Sequence, residues 1–450
     1  MGRITLHQAA QWCGGRIDPD FADIEFFGAN IDSRNIQPGQ LFVALKGARD
    51  GHEFIPMAME KGAAAVLCRQ CDEKIPAIIV EDPRLALGQI AAGERQRIGM
   101  KVVGVTGSVG KSTTKEMIAC VLDGSFKTVK TPANFNNDLG LPMTILSMQE
   151  DTQVAVLEMG MNHFREIAYL TGIAKPDVGV IINIGTMHIE HLGSQEGILQ
   201  AKLEIAEGMK EEAPLILNGD DPYLRKAPSR VKQNITYFGW KDQAQVQALD
   251  VRQMDGEISL RVNSQAESFA LELPLEGEHY VLDAMAAVSV GLHLGVTPEQ
   301  IQQRLAAFRN LAGRQETFRQ NGFTIIKDCY NAGPESMAAA LRVLGSKPGR
   351  RIAVLGDMLE LGKRTHAEHY RVGRIAAENA DFILAYGPNS DRMVSGALTG
   401  GMSANRAMSF EDRDLLVQHL KRIANDGDVL LFKGSHGMHM EIALEKFLNT

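Results

Sequence analysis

Cysteine is scarce in this chain: five in 450 residues, Cys13, Cys68, Cys71, Cys120 and Cys329. An odd number spread this thinly excludes a disulfide framework. Cys68-Arg-Gln-Cys71 has no second CxxC to complete a zinc site, so two reduced thiols after a strand are expected there. Aromatic residues make up 6% of the chain. No stretch approaches the ~18 consecutive apolar residues of a membrane helix. The first fifteen residues hold no signal-peptide-like apolar run. Positive charge is in deficit, with 47 Lys+Arg against 55 Asp+Glu and a net charge of −8, which argues against a broadly basic nucleic-acid surface. Internal repeats and low-complexity tracts are missing too. These absences predict a cytoplasmic protein that neither binds nucleic acid nor inserts into a membrane.

The chain has instead a 44% hydrophobic content, enough for substantial cores. At ~150 residues per domain the length suggests about three domains. Apolar, β-branched runs at 101–106, 154–157, 178–184 and 352–356 alternate with helical patterns, among them 85–98, 116–122 and 195–209. That alternation is the mark of parallel sheets with crossover helices, so an α/β fold is expected. A first unit over 1–98, a second over 99–312 and a third over 313–450 follow from where helices end and strands resume.

The segment Thr106-Gly-Ser-Val-Gly-Lys-Ser-Thr-Thr-Lys115 lies between an apolar strand and a helix. Gly107 and Gly110 allow tight backbone turns, so the amides of Ser108, Val109 and their neighbours can converge on an anion. Lys111 is placed to reach the terminal phosphates, and the Ser112 hydroxyl to ligate Mg²⁺, with Thr113 beside it at the helix start. Val105 stands where the longer Walker loop has its first glycine, so this is a shortened G-x-x-G-K-S variant.

Ligands of open parallel sheets gather at the carboxyl ends of strands. Glu158 follows one such strand, and His188 follows another in Ile181-Ile-Asn-Ile-Gly-Thr-Met-His188. Both are candidates to hold Mg²⁺ or to balance charge beside a triphosphate. On the helical pattern 195–209, Lys202 shares a face with Ile198, Ile205, Ala206 and Met209. Two readings of it stay open: a snorkelling side chain on the helix edge, or a desolvated amine of low pKa, open to covalent modification.

These segments together are similar to the Mur ligases, ATP-dependent amide-bond synthetases of peptidoglycan precursor assembly. The resemblance rests on TGSVGKSTTKE, TPANFNNDLGLP at 131–142, LEMGMN at 157–162, NIGTMHIEHLGSQEGILQAKLEI at 183–205 and NGDD at 218–221. It extends to PGQLFVALKGARDGHEF at 38–54 and, in the last third, to KDCYNAGPESM, VLGDMLELG and KGSHGMHME, which resemble the branch that adds D-alanyl-D-alanine. The Asp-Asn-Pro-Arg motif of the branch adding a diamino acid is not found.

The resemblance implies a fold of three domains: a uridine-nucleotide domain, a central P-loop ATPase domain and a Rossmann-like C-terminal domain. It implies that Lys111 and Ser112 hold ATP and Mg²⁺ with Glu158, that His188 helps a second Mg²⁺, and that Lys202 carries a CO₂ adduct. Arg314, Asp328, Tyr330 and Asn331 would approach ATP from the third domain. Ser33, Arg34, Lys46 and Gly47, with Asn134 and Asn137, would meet a UDP-muramoyl tripeptide. A monomer acting on that precursor and D-Ala-D-Ala is expected.

Three positions depart from the family pattern. Asp283 stands where an Asn usually meets adenine, Gly333 where an Asn precedes the proline, and His436 where an Arg follows Lys-Gly-Ser. Another Mur ligase adding a different amino acid, or a folylpolyglutamate synthase-like ligase, are the alternatives. The region Asp32-Ser-Arg34 to Phe54 argues against the second, because that enzyme begins directly with its ATPase domain. A P-loop protein that has lost ligation is the rival outside enzymes.

Overall fold

Continuous apolar strands build the architecture, which a computed structural model describes for every residue except 1, 2, 72, 73, 242, 255, 266, 312 and 450. Lys101–Thr106 shows the principle, because every residue after Lys101 is buried. A strand covered on both faces is what a parallel sheet with crossover helices requires.

Among the described residues the first unit holds a four-stranded parallel sheet in the order Ala29–Asn30, Leu41–Val43, Ala65–Cys68 and Ala77–Ile79. Burial pushes the Cys68 thiol up to about 12, so it stays protonated and inert. The helix Pro83–Ile98 closes the unit, two residues longer than the expected 85–98. The Asp82 carboxylate accepts from the amides of Arg84 and Leu85, and Pro83 sits in the first turn, where its missing N–H costs nothing.

Among the described residues the central sheet has nine strands. Its parallel part runs Val246–Met254, Asn234–Gly239, Pro214–Asn218, Val178–Ile181, Lys101–Thr106, Val154–Glu158 and Thr128–Lys130. Glu257–Ser264 and Ser268–Leu273 extend one edge antiparallel. The third unit is a six-stranded sheet in the order Glu316–Gln320, Phe323–Asp328, Val429–Lys433, Arg351–Gly356, Phe382–Tyr386 and Ala407–Phe410, antiparallel only at the first pair. The α/β expectation of several parallel-sheet units therefore holds. Residue 312, where the second boundary was expected, lies outside the described residues.

Two further helices differ from their expected spans. Lys111–Leu122 starts directly at the phosphate loop rather than at 116. The α-helix Gln195–Leu203 tightens into a 3₁₀ turn over Glu204–Gly208 instead of running to 209. The Glu204 carboxylate accepts from the amides of Arg165 (2.8 Å) and Ala168 (3.1 Å), capping the neighbouring helix Glu166–Ala174, and this draws the chain out of its α-helical course.

The cores are not distributed one per unit. A single apolar cluster runs from Leu41 and Leu67 in the first sheet, through Leu87 and Ile90, to Leu157 and Leu215 in the central sheet. The third unit has its own clusters on the two faces of its sheet.

Candidate active site

The carboxyl ends of the central and third sheets face one cleft of about 1380 Å³, bordered also by Asp82, Arg84 and Leu85 of the first unit. The phosphate loop forms its floor. Gly110 has φ +89°, and a Cβ there would lie 2.7 Å from Asp283 Oδ1, so glycine is required by both conformation and space. Asn183, at the end of the adjacent strand, staples the loop. Its Oδ1 accepts from the amides of Ser108 (3.1 Å) and Val109 (2.9 Å), and its Nδ2 donates to the Val109 carbonyl (2.9 Å). Lys111 Nζ curls over the same loop to donate to the Gly107 carbonyl at 2.9 Å. Burial lowers its pKa, against the pull of Glu158.

Ser112 Oγ donates to Glu158 Oε2 at 2.8 Å, and Asn136 Nδ2 donates to Glu158 Oε1 at 2.8 Å. Buried Lys115 donates to the Thr131 carbonyl and lies 4.0 Å from Glu158 Oε2. Among the described residues no three His, Cys, Asp or Glu side chains converge on a metal position. The Ser112 hydroxyl and Glu158 carboxylate nonetheless fit Mg²⁺, which is commonly held by one or two carboxylates together with substrate phosphates.

Lys202 is 2% exposed, so the snorkelling reading fails. Burial first, and then the charge of Lys111, hold its amine well below the usual lysine range. A neutral buried amine is the form that adds CO₂, and the resulting carbamate would put a negative charge near Lys111. Lys202 lies below the cleft lining and not in it. His188 does line the cleft, in a left-handed conformation with φ +61°. Burial, with Lys111 and Lys202 adding to it, lowers its pKa to about 4, which leaves the imidazole neutral at pH 7.

The third unit supplies the opposite wall. The Arg314 guanidinium stacks 4.3 Å over the Tyr330 ring and donates across the cleft to Ser112 Oγ at 3.0 Å. Lys433 Nζ joins Asp328 Oδ2 (2.6 Å) to the Asn331 carbonyl (2.9 Å). Thr186 Oγ1 donates to Glu335 Oε1 at 3.0 Å, a second crossing made possible by Gly185, whose Cβ would lie 3.3 Å from the Glu335 carboxylate. Asp283 also lines the cleft, where it accepts from Thr114 Oγ1 at 2.7 Å, and burial raises its pKa to about 7. His436 and Gly333, the other departures, are on the cleft wall as well.

The cleft thus gathers Gly110, Ser108, Val109, Lys111, Ser112, Thr113, Glu158, His188, Asp283, Arg314, Asp328, Tyr330, Asn331, Asn134 and Asn137. It does not gather Ser33, Arg34, Lys46 or Gly47. Ser33 Oγ faces Met57 Sδ at 3.5 Å, Arg34 pairs with Asp32 at 2.8 Å, and the backbone of Lys46 forms a β-bridge with that of Asp50 within its own loop. Sequence reasoning missed Asn136, Asn183, Thr186, Glu335, Glu360 and Lys433. Asn136 stood in a run with Asn134 and Asn137, and nothing in spacing tells which of them faces a carboxylate. Asn183 is the polar residue just beyond a buried strand, the same signal that singled out Glu158.

Three family signatures match the chain: the Mur ligase family catalytic domain over 25–95, the Mur ligase middle domain over 105–291, and the Mur ligase glutamate ligase domain over 313–436. The UDP-N-acetylmuramoyl-tripeptide–D-alanyl-D-alanine ligase of Bacillus subtilis is 39% identical, with 100% of this chain and 99% of the relative covered. A crystal structure of MurF from Acinetobacter baumannii superposes with a TM-score of 0.93 at 33% identity, covering 100% of both chains. The MurF ligase of Thermotoga maritima in complex with ADP gives a TM-score of 0.84 at 31% identity, over 94% of this chain and 97% of that one.

Proposed function

This chain belongs to the Mur ligase family of ATP-dependent amide-bond-forming ligases, and on that footing we propose that it joins D-alanyl-D-alanine to a UDP-N-acetylmuramoyl tripeptide, with ADP and phosphate as by-products, in peptidoglycan precursor synthesis. The observation that carries this reading is one cleft holding a phosphate loop, the Ser112–Glu158 pair and an arginine from the opposing domain.

The chemistry accounts for those parts. A carboxylate is a poor electrophile, so the γ-phosphoryl of ATP is transferred to the tripeptide carboxylate first, giving an acyl phosphate that the dipeptide amine then attacks. Phosphoryl transfer asks for positioning and charge neutralisation more than for covalent help. Lys111 and the loop amides orient the terminal phosphates. Arg314, already donating to Ser112, brings a second cation with the closing domain. Ser112, Glu158, His188 and Lys202 as a carbamate are the residues that would hold Mg²⁺, and Mg²⁺ bound there supplies further neutralisation of phosphate charge. Closure over the cleft, held by Arg314–Ser112 and Thr186–Glu335, excludes water that would otherwise hydrolyse the acyl phosphate.

Residues 1–98 are assigned to the UDP-precursor, 99–312 to ATP, and 313–450 to the dipeptide and to closure. Ser33, Arg34, Lys46 and Gly47 take the uridine nucleotide in this reading, and Asn134 and Asn137 take the muramoyl peptide. The protein acts as a cytoplasmic monomer; among the described residues no helix is long and apolar enough to cross a membrane. Purified protein should release phosphate only with ATP, tripeptide precursor and D-Ala-D-Ala all present. Equal turnover with glutamate or a diamino acid in place of the dipeptide would overturn the assignment.

A further inference from the structure

Glu360 is a glutamate held in a backbone conformation that glutamate disfavours. Its φ is +64°, and among the described residues nine non-glycine residues share such angles; five of them, Ala133, Arg165, His188, Gln315 and Glu360, line the cleft. Strain of this kind survives only where the surroundings over-determine it, and it gathers at working sites. The surroundings of Glu360 do so. Its loop leaves the strand Arg351–Gly356, buries Met358 and Leu361 on either side, and fixes its amides. Met358 N donates to His369 Nε2 at 3.1 Å and Leu359 N to Ser435 Oγ at 2.9 Å. Asp357 Oδ2 accepts from both the backbone (3.0 Å) and the side-chain (2.7 Å) nitrogen of Asn389. The loop is a rigid bracket with one carboxylate projecting from it.

That carboxylate points across the domain boundary. Glu360 Oε2 lies 3.0 Å from His188 Nδ1, and its side chain remains 56% exposed. Among the described residues no lysine or arginine pairs with it. The deeper carboxylates of the cleft are engaged or sealed from solvent: Glu158 by Ser112 and Asn136, Asp283 by Thr114, Asp328 by Lys433, and Glu335 by Thr186 through Oε1, its Oε2 being buried. On the rim, Asp138 pairs with Arg84, while Asp82 and Glu166 accept from backbone amides. Among the described cleft carboxylates, Glu360 has no lysine, arginine or backbone-amide partner and lies open to a cation that arrives from solvent.

Building on the proposed ligase reading, we propose that Glu360 receives the ammonium group of the incoming dipeptide and positions its nitrogen for attack. The amine reaches the cleft as R–NH₃⁺ and pairs with the exposed Glu360 carboxylate. The nitrogen loses one proton to bulk solvent before the cleft closes. The freed pair forms the N–C bond to the acyl carbon, the C–O bond to phosphate breaks with its electrons, and the second proton leaves with phosphate. Because Glu360 sits on the third domain and faces His188 on the second, it meets the acyl phosphate only when the domains are together. Placement of the nucleophile is thereby tied to closure.

Hydroxylamine provides the test, since it is a largely neutral nucleophile at pH 7 and traps an acyl phosphate as a hydroxamate without any dipeptide. The full chain is assayed with ATP, Mg²⁺ and tripeptide precursor, and with either D-Ala-D-Ala or hydroxylamine. E360Q should lose at least ~10-fold in kcat/KM for D-Ala-D-Ala and hold hydroxamate formation within about twofold of the parent. E360G, whose backbone is at ease with φ +64°, should show the same loss with no fall in Tm. Unchanged dipeptide kcat/KM in both variants overturns the proposal. So does an equal loss in the hydroxylamine reaction, which would place Glu360 on the phosphoryl-transfer step or on the metal. If the parent protein itself forms no hydroxamate, the ligase reading fails, and that outcome is distinct from a defect confined to the variants.

Discussion

The two walls of the cleft are built on opposite electrostatic plans. On the central-domain wall, Lys111, Glu158 and Asp283 are in place as soon as that domain folds, with Lys202 and Lys115 buried behind them. Three of these groups have pKa values moved by burial against their charged forms, Lys111 and Lys202 downward and Asp283 up to about 7. On the C-terminal wall, Arg314, Glu335 and Glu360 make contacts that cross to the other domain, and Glu360 stays largely exposed. One wall carries its electrostatic strain within its own domain; the other makes its contacts across the domain boundary. Activity and stability should therefore separate by wall, and substitutions at three positions test that separation.

The largest effect is expected at Lys202. Lys202→Met keeps the volume and removes the amine, and the ligase rate should fall by about 10³-fold. A lysine whose folded pKa is lowered is uncharged in the fold while the unfolded chain binds a proton. It costs stability at every pH below its unfolded value, so the variant should melt at or above the parental temperature at pH 7. Lys202→Ala should recover part of the rate with a small carboxylate or bicarbonate. Parental rates in either variant would remove Lys202 from the mechanism. A marked fall in Tm for Lys202→Met would break the contrast between walls.

Arg314→Ala comes next. It removes one cation from the transition state and one contact of closure, for a loss of about 10² in kcat/KM for ATP. The side chain is part-exposed, so Tm should move by less than ~2 °C. Phosphate-release kinetics and calorimetry on one preparation check both halves. A destabilised Arg314→Ala would mean that the C-terminal wall is also fixed during folding.

The smallest effect is at Asp283, and it should be seen in stability. With its folded pKa raised to about 7, Asp283 keeps a proton that the unfolded chain has already lost. Its cost is absent below the ordinary carboxylate range, grows as pH rises from ~4, and is complete above about 7. Asp283→Asn can still accept from Thr114 and should raise Tm by ~2–4 °C at pH 8 and scarcely at pH 4. A gain of equal size at both pH values would show that ionisation is not the cause.

Much of the central wall was legible in the sequence. A buried strand followed by Gly107 to Ser112 and a helix has few readings, and Glu158 and His188 each follow a strand whose periodicity is plain. Lys202 was visible as a polar residue on an apolar face, but periodicity could not say whether its amine was buried. The C-terminal wall was readable only through resemblance, because Arg314, Asp328 and Tyr330 obey no local pattern; they meet the phosphate loop through the docking of two sheets far apart in sequence. Glu360 and Glu335 were invisible for the same reason. A left-handed φ at a glutamate leaves no trace in composition, and Thr186 and Glu335 become partners only across a domain boundary. The helix ends followed local chemistry where a cap was evident, as at Asp82, and departed from it where a distant contact such as Glu204 with Arg165 intervened.

The apolar cluster that runs without a break from the first sheet into the central one leaves the molecule with one joint, not two. Swinging the first unit would tear open a shared interior, whereas the C-terminal unit, with its interior complete on both faces, can turn as a block. Three sequence units therefore behave mechanically as an anvil and a hammer. On the proposed reading the long precursor would be laid on the anvil, and a single stroke would bring the remaining reactive groups to it. Heating should report the same division, with the C-terminal block free to melt as its own transition and the first two units melting together.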